Sequence, residues 1–245
     1  MIWLKLVLVS IIATGCVILF SAILFFPVFV PTEPPTLIML SFDITSEQNL
    51  SNWCTELSQV LEEHNINSVI FLTGKTAEKF PECVNAFHNG VDIGSQTYSY
   101  VDLQTIDDYS LQLEEVEHGK YAVDKAGNFN TKLFKAPYGS TDENIYSLLS
   151  RSGILADFSY EHQFNKFYKG KFIKFDSISY HTPQIKSIIS EIKSAKDPII
   201  LSYNNTTPVS EIKNLLATLK SENIRFVSPS ELTGIDLTTR TGGMF

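Results

Sequence analysis

Short apolar segments alternate along this chain with segments of helical period, and this alternation most narrows the fold that the sequence can adopt. The short segments are apolar at consecutive positions, which is typical of strands buried on both faces of a parallel sheet. Each intervening segment carries one apolar stripe, such as Trp53, Leu57, Val60 and Leu61. About eight such strands in roughly 200 residues predict an α/β fold, a closed or distorted (β/α) barrel. The apolar segments are 36–43, 68–73, 91–94, 131–135, 154–158, 171–175, 199–203 and 225–227.

The first 30 residues differ from the rest because no charged residue lies between Lys5 and Glu33. An uncharged apolar segment of about 25 residues is long enough to span a bilayer. No small-x-small cleavage site ends it, so we predict an uncleaved N-terminal transmembrane helix, a signal anchor, at 1–30. Because Lys5 precedes the segment, the N-terminus is predicted to be cytoplasmic and the rest of the chain extracytoplasmic.

The remaining sequence divides into three parts by composition. The prolines of 31–35 predict a linker, the alternating pattern predicts one domain at 36–235, and 236–245 is predicted to be a flexible tail. The protein is therefore expected to be a single-pass protein of the cell membrane. Lipid attachment at Cys16 is an alternative, but 14 apolar or small residues follow Cys16 where a lipoprotein has a polar tether.

The charge balance argues against one class of partner. The formal net charge is −8 and the pI is near 5.1. A protein that binds a phosphate backbone needs clustered lysine and arginine to displace counterions. The sequence therefore predicts no nucleic-acid partner.

Two cysteines, Cys54 and Cys83, lie within the predicted domain. An oxidising, extracytoplasmic compartment permits a disulfide between the first two helices of the domain. Two separate small side chains, each buried on a helix face, are an equally good interpretation. Neither cysteine is predicted to be a nucleophile or a metal ligand, since no Cys-x-x-Cys motif or nearby histidine accompanies them.

Polar and aromatic residues stand where the predicted strands end, which is the edge at which such barrels build their sites. These stretches read SFDI at 41–44, GSQTYSY at 94–100, KAPYG at 135–139 and LSYN at 201–204. In this order they resemble the motifs of the polysaccharide deacetylases, the NodB homology domain of carbohydrate esterase family 4. The resemblance extends from Thr36 to Leu232 and implies the distorted (β/α) barrel of that family.

The resemblance implies a chemistry whose parts can be compared position by position. Members of the family remove acetyl groups from amino sugars with a divalent metal such as zinc, which polarises the amide carbonyl and activates a water. Asp43 stands at the position of the general base, and Lys135 stands at the position of the arginine that holds this base. Leu201 stands at the leucine of the acetyl pocket, and Tyr203 stands at the histidine that serves as general acid.

The three metal ligands of the family are all replaced in this chain. Ile44 stands in place of an aspartate, and Gln96 and Tyr100 stand in place of two histidines. Isoleucine has no donor atom, a glutamine amide is a weak ligand, and a phenol that titrates near pH 10 binds zinc poorly. We therefore predict no metal cofactor and no metal-dependent activity. A relocated site near His162 is the alternative.

Aromatic and amide side chains are expected at the same strand ends, a composition suited to stacking on sugar rings and hydrogen-bonding to them. Together with the resemblance, this composition predicts a cleft for envelope or surface glycan. Tyrosines that merely fill the space of a lost metal are the alternative interpretation. The predicted binding residues are Gln96, Tyr98, Tyr100, Pro137, Tyr138, Gly139, Phe158, Leu201 and Asn204, with Tyr160 and Tyr203 completing the aromatic ring.

Three functions from different classes remain open from the sequence. The first is a membrane-anchored, catalytically degenerate deacetylase domain that binds glycan. The second is an active amide hydrolase with an altered or relocated site, and the third is a scaffold for another envelope protein. Asp43 and Lys135 do not discriminate among them, because a buried carboxylate needs a cation whether or not it catalyses.

Overall fold

The computed structural model describes residues 33–87, 90–160, 163–168, 171–176, 178–181 and 185–240. Pro35–Phe245 form one compact unit. The predicted membrane anchor at 1–30 lies outside the described residues. Within the described ranges, no helix combines the length and the apolar character that are needed to cross a bilayer.

Strands and helices alternate along the described chain in the way that the apolar pattern predicts. The strands are β1 (Thr36–Asp43), β2 (Ser68–Leu72), β3 (Val91–Ser95), β4 (Phe129–Thr131), β5 (Leu133–Phe134), β6 (Ala156–Tyr160), β7 (Gln163–Tyr168), β8 (Lys171–Asp176), β9 (Ile178–His181), β10 (Ile199–Asn204), β11 (Ile224–Phe226) and β12 (Thr238–Arg240). The helices are α1 (Leu50–Glu63), α2 (Gly74–Lys79), α3 (Pro81–Ala86), α4 (Tyr109–Gly127), α5 (Glu143–Arg151), α6 (Ile185–Ser194), α7 (Val209–Leu219) and α8 (Pro229–Thr233).

Local sequence explains where several helices begin and end. The side chains of Thr73, Asp108 and Asp142 accept hydrogen bonds from backbone N–H groups in the first turns of α2, α4 and α5. These are the side chains that satisfy the otherwise unpaired donors of a helix start. Asn128 adopts a left-handed conformation and ends α4. The long helix α4 is thus fixed at both ends by residues that cannot easily be exchanged for apolar ones.

One sheet contains most of the strands, in the order β8-β7-β6-β5-β3-β2-β1-β10-β9, and β11 pairs with the start of β1. From β9 to β6 along this order neighbouring strands run parallel, whereas β6, β7 and β8 pair antiparallel. The predicted α/β architecture is confirmed. Among the described strands, however, β8 and β9 are the two edges of the sheet, which is a curled half-barrel rather than a closed barrel.

The curl brings together side chains from strands that are not neighbours. Met39, Phe71, Leu133 and Phe158 pack in one cluster on the inner face. The rings of Phe71 and Phe158 are 5.5 Å apart, although β3 and β5 separate their strands and a flat sheet would hold them about 14 Å apart. A Cβ atom on Gly94 would lie 2.4 Å from the Phe71 ring, so glycine lets this ring cross β3.

The outer face of the same strands packs against the helices. Leu40 and Phe42 of β1 and Leu201 of β10 belong to a core that also contains Trp53 and Leu57 of α1. Successive side chains of a strand point to opposite faces. The membership of these two cores therefore assigns the named residues of β1, β2, β5, β6 and β10 either to the interior of the half-barrel or to the helix layer.

The end of the described chain corrects one prediction. Thr238–Arg240 form β12, which pairs antiparallel with β4, whereas the sequence predicts a flexible tail from residue 236. The Ile93 N–H donates to Thr238 Oγ1 at 3.0 Å, and Arg240 Nη2 donates to the Phe87 carbonyl at 2.8 Å. A three-residue strand has too little pattern to be recognised, and its order comes from satisfying backbone groups at a sheet edge.

Cys54 and Cys83 form a disulfide that joins α1 to α3, with 5.3 Å between their Cα atoms. Both residues are buried. The structure therefore selects the first of the two interpretations that the sequence leaves open. The bond ties together two helices that pack against the outer face of the sheet beside β1, β2 and β3.

Removing this disulfide should lower the free energy of unfolding by about 3 kcal/mol, because the bond closes a loop with a sequence separation of 29 residues in the unfolded chain. Urea unfolding of the Cys54→Ser/Cys83→Ser double variant against the wild type measures this difference. Added reductant should bring the wild type down to the stability of the variant. Equal stability of the two proteins without reductant would contradict the prediction.

Candidate functional site

The centre of the site is an ion pair between Asp43 and Lys135 inside the half-barrel. Asp43 is the last residue of β1 and faces inward in alternation with Met39. Lys135 directly follows β5, and its Nζ lies 2.6 Å from Asp43 Oδ2. The two side chains are only 13% and 18% exposed, and the ammonium lies 5.7 Å from the centre of the Phe71 ring. A half-buried carboxylate and a half-buried ammonium are thereby matched.

Gln96 lies beside this pair and is buried. Its backbone N–H donates to the Leu72 carbonyl at 2.9 Å, which extends the ladder between β2 and β3. Its side-chain Nε2 approaches Asp43 Oδ1 at 3.4 Å, a long and weak hydrogen bond. Gln96 Oε1 is buried without a hydrogen-bond partner. The Gln96 amide therefore directs its N–H donor toward the Asp43 carboxylate, and its carbonyl oxygen points away from that carboxylate.

The loop that follows Gln96 is held from outside the site. The Glu115 carboxylate of α4 accepts hydrogen bonds from the backbone N–H groups of Tyr98 and Ser99, at 3.1 and 2.9 Å. A Cβ atom on Gly119 would lie 2.4 Å from the carbonyl carbon of Thr97, so only glycine allows α4 to approach this closely. Glu115 was not among the predicted site residues, because nothing in the sequence pairs it with a loop 16 residues earlier.

Tyr100 and Tyr138 meet edge to face above the ion pair, with ring centres 5.4 Å apart. Both residues have a positive φ, 65° and 62°, a left-handed conformation that is uncommon for large side chains and clusters at functional sites. Burial, followed by the negative charge of Asp43, raises the pKa of Tyr100. Tyr100 thus lies close to Asp43 as a neutral phenol, while Tyr138 is 75% exposed.

Pro137 and Gly139 shape the turn that presents Tyr138. Pro137 is buried, and Gly139 has a φ of +69°. A Cβ atom on Gly139 would lie 2.7 Å from the carbonyl oxygen of Ser159, so this turn packs directly against β6. Pro137 and Gly139 therefore position the Tyr138 ring rather than contacting the Asp43 carboxylate.

The side chains at the three metal positions do not fit a divalent metal. Ile44 is buried in the helix-side core and has no donor atom. Gln96 turns its amide nitrogen to Asp43, Tyr100 keeps its proton, and the ammonium of Lys135 already contacts the carboxylate. Across the described ranges, no three histidine, cysteine, aspartate or glutamate side chains come together as metal ligands.

The structure corrects the assignment of Leu201 and Tyr203 to the site. Both belong to the helix-side core, and the Tyr203 ring stacks on Phe42, which lies opposite it in the register, at 6.2 Å. Burial raises the pKa of Tyr203, so the phenol is a poor proton donor as well as misplaced. The inner face of β10 at this level is formed instead by Ser202 and Asn204, one position to either side.

Asn204 pairs in register with Asp43 and so lies on the same face of the sheet. Its side-chain oxygen accepts the Thr206 N–H at 3.0 Å, so the amide oxygen is occupied by the following turn. Ser202 was not predicted as a site residue. If a strand end is aligned one residue out of register, every side chain is assigned to the wrong face of the sheet. Only the observed packing shows which face is correct.

Tyr98 is also outside the site, which corrects a second prediction. Its ring stacks on His118 of α4 at 3.9 Å, and its hydroxyl donates to the Glu78 carboxylate at 3.0 Å. These contacts lie on the surface between α2 and α4 rather than above Asp43. Phe158, in contrast, lies on the inner face as predicted. The predicted roles of the Tyr160 side chain and of His162 lie outside the part of the chain that the structure describes.

Asp157 is a buried carboxylate beside the site that the sequence did not single out; it pairs in register with Phe134, so its side chain faces the helix layer, opposite to Ala156 and Phe158. Desolvation raises its pKa to about 7, and hydrogen bonds from Ser159 and the charge of Lys135 oppose this shift. The Ser159 N–H donates to Asp157 Oδ1 at 3.0 Å, whereas Oδ2 is buried without a hydrogen-bond partner. One feature of the sequence could have identified this residue: Asp157 is an aspartate within the apolar segment 154–158. Fully buried acidic residues are rare, so an aspartate in such a segment is unusual.

The raised pKa of Asp157 predicts a pH dependence of stability. The folded state binds the proton more tightly than the unfolded state, whose pKa is near the ordinary 3.8. The contribution of this proton is complete below about pH 4 and is lost as the pH rises through about 7, a change on the order of 4 kcal/mol. Replacing Asp157 by Asn should therefore raise stability relative to the wild type progressively between these values.

Urea unfolding of Asp157→Asn and wild type at pH 4, 5, 6, 7 and 8 measures this difference. The exposed Asp107→Asn variant is the matched control and should follow the wild type at every pH. Other buried carboxylates contribute equally to both proteins and cancel in the comparison. A difference between Asp157→Asn and wild type that stays constant across this range would exclude a raised pKa.

Comparison with known proteins agrees with this fold. The sequence profile of the family described as polysaccharide deacetylase matches residues 31–156, just over half of the chain. A peptidoglycan-N-acetylglucosamine deacetylase of Bacillus cereus is 34% identical over 87 residues, which are 34% of this chain and 30% of that enzyme. The match thus spans less than a third of the length of this curated relative.

Solved structures share the fold at lower identity. A family 4 carbohydrate esterase from Streptomyces lividans, in complex with acetate, is 17% identical with a TM-score of 0.60, over 81% of this chain and 95% of that chain. A CE4 family pseudoenzyme from Bacillus anthracis is 12% identical with a TM-score of 0.59, over 81% of this chain and 65% of that chain. Taken with the profile match, these likenesses lead to one conclusion: the chain belongs to the polysaccharide deacetylase family.

Proposed function

We propose that this protein is a membrane-anchored polysaccharide deacetylase-like domain that binds envelope or surface glycan without hydrolysing it. The observation that carries the proposal is the ion pair between Lys135 and Asp43, 2.6 Å apart at the position where the family has its catalytic base. An ammonium this close repels a second cation and occupies one lone pair of the carboxylate.

The chemistry of amide cleavage supports this interpretation. Hydrolysis of an acetamido group needs an electrophile that polarises the carbonyl, an activated water, and an acid that protonates the leaving amine. Ile44 cannot help to hold a metal, and Tyr203 faces the helix layer with its pKa raised. Ser202, on the inner face, has a hydroxyl that does not donate protons readily near neutral pH. Asp43 alone cannot supply all three requirements.

Glycan binding is supported by the surface above the ion pair and by the relatives. An exposed Tyr138 ring beside Tyr100 offers the apolar face on which a sugar ring stacks. The enzyme of Bacillus cereus is named for a peptidoglycan substrate, and we extend the class of ligand, rather than the reaction, to this chain. A shared fold alone would not justify proposing the same class of ligand, so the proposal rests on the residues of the site as well.

Two observations, the N-terminal segment and the disulfide, support a proposed location. The uncharged segment before Glu33 has the length of a membrane span. The disulfide between Cys54 and Cys83 fits an oxidising, extracytoplasmic compartment. We therefore propose a single-pass protein with a cytoplasmic N-terminus and with its domain on the side where envelope glycan is found.

The purified protein should bind insoluble peptidoglycan or chitin, release no acetate from either, and contain no stoichiometric zinc. Replacing Tyr138 by Ala should weaken binding about tenfold, since an aromatic stacking partner is lost. Tyr121→Ala is the matched control, because Tyr121 is 60% exposed on α4 and distant in sequence from the strand ends. Co-sedimentation, acetate assay and metal analysis measure the three quantities.

Two outcomes would change the proposal. Acetate release that is abolished by Asp43→Asn would identify an active amide hydrolase with an altered site. Equal binding by wild type and Tyr138→Ala, or no binding to any glycan, would leave the scaffold hypothesis in its place.

Protease added to intact cells or right-side-out spheroplasts should digest the domain, and the undigested protein should stay with membranes after a carbonate wash. The physical reason is that a span of about 25 apolar residues does not leave a bilayer under alkaline conditions. A protein with Arg substituted at Ile18 and Leu24 within the segment serves as control and should be released. A wild-type protein that is protected from protease or washed from the membrane would refute the anchor.

A further inference from the structure

The carboxylate of Glu115 is a group of α4 that the proposed function leaves without a role. Its Oε2 accepts hydrogen bonds from the backbone N–H groups of Tyr98 and Ser99, at 3.1 and 2.9 Å, and its Oε1 accepts one from Ser99 Oγ at 2.9 Å. Within the described ranges, no lysine, arginine or histidine forms an ion pair with this carboxylate. Its described donors thus all belong to the loop at 96–100, which follows β3.

The same face of α4 contacts this loop at two further residues. His118 and Gly119 lie three and four positions after Glu115, which places the three residues on one face of the helix. His118 stacks on the Tyr98 ring at 3.9 Å, and Gly119 closely approaches the Thr97 carbonyl. On the opposite side, the first two N–H groups of α2 donate to two carbonyls of the loop, both at 3.0 Å. The loop is therefore held between α2 and α4.

Tyr100 ends this loop in a conformation that needs such support. Its φ is 65°, and its N–H donates to Thr97 Oγ1 at 3.1 Å. A left-handed backbone is uncommon for a large side chain and persists only where the surroundings fix it. Hydrogen bonds to a carboxylate are stronger than those between neutral groups. Without Glu115, two consecutive N–H groups would lose a charged acceptor, and Tyr100 could relax to an ordinary φ.

The Tyr100 ring in turn borders the exposed ring of Tyr138. The two ring centres are 5.4 Å apart in an edge-to-face arrangement, and such a contact favours one relative orientation of two rings. Tyr138 is 75% exposed, so few other contacts restrict its side chain. A change of sign in φ at Tyr100 would redirect the Tyr100 side chain and remove this contact.

We propose that Glu115 is a positioning residue of the glycan site: through the loop at 96–100 it orients Tyr100, and Tyr100 orients the Tyr138 ring on which a sugar stacks. The inference rests on the proposed function and adds to it a residue that does not contact the ligand. A change on α4 should therefore alter ligand binding at the strand ends.

Substitutions at Glu115 test this role in the full-length protein, purified in a mild detergent and co-sedimented with insoluble chitin. Glu115→Leu removes all three acceptor contacts and should weaken binding about tenfold, as expected for Tyr138→Ala. Glu115→Gln keeps one oxygen for the two backbone N–H groups and can donate to Ser99 Oγ, so it should bind within about twofold of the wild type. Glu117→Leu is the matched control, because Glu117 is exposed on a different face of the same helix. This control should bind like the wild type.

A double-mutant cycle separates positioning from a general loss of stability. In a Tyr100→Ala background, Glu115→Leu should not weaken binding further, because the ring that Glu115 orients is absent. Losses that simply add would show that Glu115 acts independently of Tyr100.

The Tyr138 ring can also be followed without a ligand. In the NMR spectrum of protein with labelled tyrosine, the Tyr138 ring signals are assigned by their absence from Tyr138→Ala. Glu115→Leu should move these signals toward the positions that they have in Tyr100→Ala, since both variants take the neighbouring ring from its place. Glu115→Gln and Glu117→Leu should leave the signals where they are in the wild type.

Unchanged Tyr138 signals in a folded Glu115→Leu protein would overturn the inference, and so would additive losses in the cycle. A wild-type protein that binds no glycan would refute the proposed function, whereas the Tyr138 signals would still decide on Glu115. If Glu115→Leu does not fold, Glu115→Asp takes its place, because it keeps the charge on a side chain that is one methylene shorter. Tyr138 signals of Glu115→Asp that match those of the wild type would then overturn the inference.

Discussion

The ion pair between Asp43 and Lys135 is the interaction on which the interior of this half-barrel depends. Asp43 ends β1 and Lys135 follows β5, two strands that are separated by β2 and β3 in the sheet, and the curl of the sheet brings their side chains to 2.6 Å. Each charge stabilises the other, because an ion that is partly removed from water is destabilising without a partner. The ion pair at the polar end of the interior therefore depends on the curvature of the sheet.

The backbone around the pair has an uncommon conformation at three positions. Thr97, Tyr100 and Tyr138 all have positive φ values, and such strain persists when the surroundings determine it. Glu115 supplies those surroundings for the first loop, and Gly119 permits the close approach of α4. The backbone at this end of the sheet is thus held in place by contacts with α4.

Of the four buried side-chain atoms that lack a partner in the described residues, one, Ser68 Oγ, is at the start of β2. The other three, Gln96 Oε1, Ser95 Oγ and Asp157 Oδ2, lie near this framework, at the end of β3 and at the same level in β6. A core selected only for stability would replace such groups with apolar ones at little loss or with some gain. Their presence at one end of the sheet distinguishes that end from the apolar interior formed by residues such as Met39 and Leu133.

The sequence by itself determined the alternation of strands and helices and the family, because these depend on residue type and order along the chain. Only the tertiary structure decided which side of the sheet each strand end faces. Leu201 and Tyr203 look like site residues in sequence, yet the register of β10 on β1 turns them to the helices and turns Ser202 inward. Tyr98 lies outside the site for a different reason, because in the loop after β3 its ring stacks on His118. Strand periodicity is two residues, so an alignment shifted by one reverses every side chain, and packing alone fixes that choice.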